Sequence, residues 1–126
     1  MAKHVTPAVH AVFIHTTDLV KSAEWYCRLL ELPFDAEQVN VPVYNVQVSG
    51  DTYLTIDSHA FDASFTFTPA SGPIFNIFSS DLIATYDWIT EQEMKVVRQI
   101  ERDNDFGWFH IEDPDQNIVM ICGTIK

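Results

Sequence analysis

The chain has 126 residues, 47% hydrophobic, 13% aromatic and 20% charged, which suits one domain with a real core and excludes a disordered segment. No apolar run nears the ~18 residues of a membrane span. The opening MAKHVTPAVHAVF has no unbroken apolar stretch and no cleavage signature, so a cytoplasmic protein is expected. Seven Lys and Arg against 18 Asp and Glu give a net charge of −11 without clustered cations, which excludes nucleic acid as a partner.

Taken in chain order, Val12–His15 is apolar and rich in large or β-branched residues, so it reads as a strand. Asp18 stands at a helix N-cap position, and Leu19, Ala23, Tyr26 and Leu30 then recur on a single helix face. Three strands are expected next, at Phe34–Val39, Val43–Ser49 and Thr52–Asp57, with Gly50-Asp51 as a hairpin turn. His59–Gly72, with its Ser, Thr, Gly and Pro69, reads as a linker. Phe75–Phe78 then opens a second strand–helix pattern, with Asp81 as the cap and Leu82, Tyr86 and Ile89 on one face. Strands follow at Val96–Glu101, Phe106–Glu112 and Ile118–Gly123, the last two joined by the turn formers Asp113-Pro114-Asp115-Gln116-Asn117.

The second pattern repeats the first at an interval of 63 residues. Asp18 matches Asp81, Thr16 and Thr17 match Ser79 and Ser80, Ser22 matches Thr85, and Trp25 matches Trp88. The two tryptophans read as helix-to-sheet packing. The fold class expected is therefore α+β: two βαβββ units at about residues 8–58 and 73–123, joined by linker 59–72.

Two motifs in this order resemble the glyoxalase/bleomycin-resistance/dioxygenase family, the vicinal oxygen chelate superfamily. One is Thr17-Asp18-Leu19 followed by Ser22-Ala23-Glu24-Trp25-Tyr26 and Leu29-Leu30-Glu31-Leu32; the other is Asp113-Pro114-Asp115-Gln116-Asn117. The resemblance spans about residues 8–123 and implies a half-open curved sheet around a cleft. Glu31 and Gln116 stand where the family usually has glycine, so Gln116 is expected to take a positive φ at some strain.

The resemblance also implies four metal-ligand positions, on the first and last strands of each unit. Carried over, they fall on Ala11, Asp57, Ile74 and Met120. Alanine and isoleucine have no donor atom and a thioether suits only soft ions, so no metal and no other cofactor is expected. His4, His10, His15, His59 and His110 show no zinc spacing, and Cys27 and Cys122 read as buried, reduced thiols.

Strand alternation places Phe13 and His15 beside Ala11, Asn76 and Phe78 beside Ile74, and Thr55 and Tyr53 beside Asp57. A five-residue final turn pairs Glu112 with Ile118, His110 with Met120 and Trp108 with Cys122. His15, Tyr53, Asp57, Asn76, Trp108, His110 and Met120 are thus the candidate ligand-binding residues, set in an aromatic wall. The function expected is metal-free binding of a small organic ligand, of a sequestering or resistance type, by a homodimer. The alternative is an enzyme of the same superfamily, a lyase or dioxygenase or a metal-independent acid–base catalyst using Asp57 and His110.

Overall fold

Both helices start where the sequence caps them. Asp18 and Asp81 are extended (φ −143° and −144°), and their carboxylates accept from Lys21 N and Ala84 N, each at 3.2 Å. Helix α1 (Leu19–Leu29) and helix α2 (Leu82–Glu91) also end alike. In the first, Leu32 N donates to Cys27 O and Glu31 N to Arg28 O; in the second, Met94 N donates to Ile89 O and Glu93 N to Thr90 O. This is the Schellman pattern of a left-handed residue after the C-cap, and Glu31 (φ 55°) and Glu93 (φ 61°) occupy it without glycine's freedom.

The computed structural model describes residues 4–48 and 50–125. Strands β1 (Ala11–His15), β2 (Val43–Gln47) and β3 (Tyr53–Asp57) form one sheet in the order β1-β3-β2. Strands β4 (Asn76–Ser79), β5 (Lys95–Asp103), β6 (Phe106–Glu112) and β7 (Ile118–Thr124) form the second, in the order β4-β7-β6-β5. β1 runs parallel to β3 and β4 parallel to β7, as a strand–helix crossover requires. Helix α1 packs on β2 and β3, and α2 on β7. Ile14, Trp25, Tyr26, Ile56, Leu82, Ile89, Phe109 and Ile121 meet in one buried cluster, so both sheets turn their helix-covered faces to a common core. The architecture is α+β, as the repeat implies.

The first unit departs from βαβββ. Phe34–Val39, expected as a strand, holds only a 3-10 turn at Ala36–Gln38, none of it buried. Asp35 caps that turn by accepting from Glu37 N at 3.0 Å, and this local bond replaces a strand ladder. The strand expected at Val43–Ser49 ends at Gln47, and its last residue, Ser49, lies outside the described residues. The tryptophans also diverge: Trp25 is in the core, whereas Trp88 is only partly buried.

The turn at residues 113–117 is the main polar tie between the units. Asp115 accepts from Thr16 Oγ1 at 2.6 Å, Thr17 N at 3.1 Å, Ser22 Oγ at 3.2 Å and the Thr17 hydroxyl. Asp113 accepts from Tyr26 OH at 2.6 Å and holds its own turn through Asp115 N and Asn117 N, both at 2.9 Å. Burial alone pushes the Asp115 carboxyl up, but the bonds from Thr16, Thr17 and Ser22 outweigh it and hold the group below its ordinary value. Burial raises Asp113 instead, against the pull of its own hydrogen bonds.

Four stability outcomes follow from this geometry. Asp115→Ala loses about 2–4 kcal/mol in urea unfolding, because several charge-assisted bonds vanish at once. A carboxyl depressed by folding stabilises above its unfolded value, about pH 4, and ceases to as pH falls through its folded value. The acid-side loss of stability is therefore shallower in Asp115→Asn than in the parent. At Gly123 an added Cβ sits 1.9 Å from the Ser79 carbonyl oxygen, so Gly123→Ala forces β4 and β7 apart and lowers the unfolding midpoint sharply. Gln116 takes φ 69° as expected; Gln116→Gly removes about 1–2 kcal/mol of strain, costs about 0.5–1 in chain entropy, and so leaves the midpoint equal or slightly higher.

Candidate functional site

The faces turned away from the core carry the candidate residues. On the first sheet, Phe13 and His15 of β1 alternate with the buried Ile14, and on β3 Tyr53 and Asp57 share their side. His15 lies directly opposite Asp57. On the second sheet, Asn76 pairs with Met120, Met120 with His110, and Trp108 with Cys122, the register read from the five-residue turn. Asn76, Met120, His110 and Trp108 therefore form one contiguous patch, with Asn76 Nδ2 3.9 Å from Met120 Sδ. His15 and Asp57 form a separate pair on the other sheet, and Tyr53 lies apart from them, edge-on to His10.

The counterpart of Met120 is not Asp57. Asn76 stands 63 residues after Phe13, yet Met120 (paired with Asn76 and His110) matches Thr55 (paired with Phe13 and Asn45), an interval of 65. The extra residues fall between helix and penultimate strand, where the second unit builds β5 and the first makes only its short turn. The four positions that the family resemblance implies for metal ligands thus fall on Ala11, Thr55, Ile74 and Met120. Thr55 is buried and its hydroxyl donates to Asn45 Oδ1 at 2.7 Å. Not one of the four supplies a carboxylate or imidazole, so these positions do not fit a divalent ion. Among the described residues no group of three His, Cys, Asp or Glu side chains is arranged to hold one elsewhere.

Strand β5 adds two groups that strand alternation alone misses. The β5–β6 ladder slips twice, so Arg98 faces His110 and Glu101, three residues on, faces Trp108. Arg98 Nε and Nη2 donate to Glu101 Oε1 at 3.0 and 2.7 Å, and Trp108 Nε1 donates to Glu101 Oε2 at 3.2 Å. The carboxylate thus fixes the indole and cancels the guanidinium; hydrogen bonds from Arg98 hold Glu101 below the ordinary carboxyl range. Burial, and then the neighbouring Arg98 charge, lower the His110 pKa, which keeps the ring neutral at pH 7 as hydrogen-bond donor or acceptor. Lys95 is paired in turn with Glu112, 3.5 Å away. The patch is therefore aromatic, thioether-lined and charge-balanced.

This surface is open. Phe13, Ile74 and Phe78 are 50%, 64% and 65% exposed. Two hollows of roughly 500 and 430 Å³ lie beside it: one between Leu30, Gln47, Leu54 and Phe75–Phe78, the other against Leu29, Ser79–Asp81 and Trp88. Of the seven candidates only Asn76 lines either hollow, and His15 lines a third of about 50 Å³.

The sequence profile of the Glyoxalase/Bleomycin resistance protein/Dioxygenase superfamily matches residues 4–121. The chain belongs to that superfamily. Its fold is shared by a glyoxalase/dioxygenase from Nostoc punctiforme at 17% identity (TM-score 0.68, 100% of this chain and 99% of that one). A lactoylglutathione lyase from Agrobacterium tumefaciens aligns at 14% identity (TM-score 0.69, 94% of each chain). An oxidase, ChaP-H2, aligns at 13% identity (TM-score 0.70, 94% of each chain). No curated protein matches the chain in sequence. Among the described residues no helix is long and apolar enough to cross a membrane.

The site geometry sets one direct expectation. Arg98→Ala removes a positive neighbour, so the His110 pKa rises, and NMR titration of its ring protons reads the change. An unchanged or lower value contradicts the arrangement.

Proposed function

We propose that the chain binds a small organic molecule on the outward face of the second sheet, stacked on Trp108 and hydrogen-bonded by His110, without a metal ion. The observation that carries this reading is the donor set: Ala11, Thr55, Ile74 and Met120 stand where relatives of this fold place metal ligands. The Glu101-braced indole and the exposed Phe78 supply an apolar platform, and Asn76 and His110 supply a few orienting polar groups. A sequestering role suits such a platform. The alternative acid–base pair draws less support, since Asp57 and His110 lie on different sheets and no hydrogen bond joins them. A second copy of the chain, expected in the cytoplasm, covers the exposed Phe13, Ile74 and Phe78 and closes the platform into a cleft.

Four measurements test this reading. Purified wild-type chain contains zinc, nickel, manganese and iron only at trace level by elemental analysis; one tightly held ion per chain overturns the metal-free reading. Ala11→His, Thr55→Glu, Ile74→His and Met120→Glu together create a two-histidine, two-carboxylate set and take up one zinc or nickel per chain. Cationic and uncharged planar aromatics are then titrated against wild type and Trp108→Ala. About a tenfold loss of affinity or more is expected in the variant, equivalent to ~1.4 kcal/mol. Equal affinity in both removes Trp108 from the site. Sedimentation at micromolar concentration is expected to give a dimer of the 14.4 kDa chain.

A further inference from the structure

Away from Trp108, the linker folds back and completes a second cluster of titratable groups. His59 Nε2 lies 2.6 Å from His15 Nδ1 and 3.7 Å from Asp57 Oδ2. Asp57 Oδ1 accepts from His59 N at 2.9 Å, which fixes the carboxylate and the loop together. Phe65 lies flat on the His59 ring, centroids 3.5 Å apart, and flanks His15 at 5.3 Å. Asn117 Nδ2 holds the backbone carbonyl of His15 at 2.9 Å. The residue types alone mark no such site, because His59 lies in a segment with no strand or helix pattern.

We propose that His15, His59 and Asp57 form an acid–base centre that exchanges a proton with a weakly acidic, uncharged C–H compound. His15 is the group that meets the ligand, and His59 positions it and receives its second proton. The centre is independent of any ligand on Trp108.

Two ring nitrogens 2.6 Å apart share a single proton, since two hydrogens clash and two lone pairs repel. Nδ1 of His15 is therefore committed to His59, while its Nε2 has no hydrogen-bond partner among the described residues and is not a buried orphan. When Nε2 takes a proton, the ligand's C–H bond breaks and its electron pair stays on the ligand. In the tautomer that carries the shared proton on His15 Nδ1, which leaves Nε2 free as the base, that proton then passes to His59 Nε2. The resulting imidazolium stands beside the Asp57 carboxylate, the same ordering of base, orienting group and counter-charge that activates nucleophiles in hydrolases. The reverse transfer returns the proton, so no co-reactant is consumed. Asp57 from β3 and Asp62 from the linker are the charged groups that face the pair; Asp62 is held low chiefly by hydrogen bonds from Ser64, and also by His59. The small hollow that His15 lines is walled by Phe13, Ile74, Phe75 and Ile118, which favours an apolar ligand over a charged one.

The test uses the full chain and 5-nitrobenzisoxazole. Loss of its C3 proton breaks the N–O bond, forms a nitrile and leaves a coloured nitrophenolate. Wild type is expected to release the phenolate faster than free imidazole at equal concentration. His15→Gln is expected to be slower by about tenfold or more, and His59→Gln intermediate. Added imidazole restores the rate in His15→Gly, a rescue that a merely structural histidine does not show. Separately, nitrogen-15 NMR of the imidazoles shows scalar coupling between His15 Nδ1 and His59 Nε2, lost in His59→Gln. A wild-type rate no greater than free imidazole, an unchanged rate in His15→Gln, or no coupling between the rings overturns the proposal. Should His15→Gln fail to fold, His59→Gln and the wild-type coupling decide.

Discussion

The carboxylate of Asp115 is the contact on which the arrangement of the two units turns. It sits in the last β-turn of the chain, yet its donors, Thr16, Thr17 and Ser22, surround the start of the first helix. Those groups are committed among themselves as well: Asp18 N donates to Thr16 Oγ1 at 3.1 Å while Asp18 caps the helix. One turn thus closes the first unit's strand-to-helix junction and anchors β7, and with it Met120 and its neighbour His110. Asn117 of the same turn reaches His15, so both chemical clusters on the outward face are tied to it.

The repeat makes the asymmetry of this contact instructive. Ser79 and Thr85 repeat the hydroxyl pair of Thr16 and Ser22, with Asp81 N donating to Ser79 Oγ at 3.1 Å. By the interval of 65 that relates the hairpins, the counterpart of Asp115 is Gly50, which has no side chain to offer. The junction in the second unit is left facing a hollow of roughly 430 Å³ instead of a carboxylate. A duplicated unit therefore keeps its caps and helix ends, which depend on a few local residues, and diverges where the two copies must touch each other.

That division explains what was legible in the sequence. The helix N-caps and the β6–β7 register are set by residues within one turn of each other, so Asp18, Asp81 and the five residues 113–117 sufficed to place them. The absent strand at Phe34–Val39 was not legible, because Phe34 and Val39 are apolar in either conformation and a single Asp35–Glu37 bond decides between them. The same stretch changes the interval between the units, which is why a fixed step of 63 pointed to Asp57 where the ladder pairs place Thr55. Arg98 and Glu101 were hidden by bulges, since three residues of separation puts side chains on opposite faces of any regular strand. His59 depended on a loop that returns to its own strand, and no periodicity reports that.

Charge distribution links the composition to the outward face. Five cations fall among the described residues, and Lys95 and Arg98 both lie on β5 within reach of a carboxylate, Glu112 or Glu101. The excess of acids therefore resides elsewhere, on helix surfaces, turns and the linker. A net −11 acts on an approaching cation over about a Debye length, roughly 8 Å in physiological salt. At contact distance the same cation meets an indole whose nearest carboxylate is already neutralised by Arg98. Acidity of the whole chain can speed an encounter, but it gives the Trp108 platform no charge with which to hold what arrives. On the proposed reading, retention comes from stacking and from hydrogen bonds to His110 and Asn76, interactions that salt screens little.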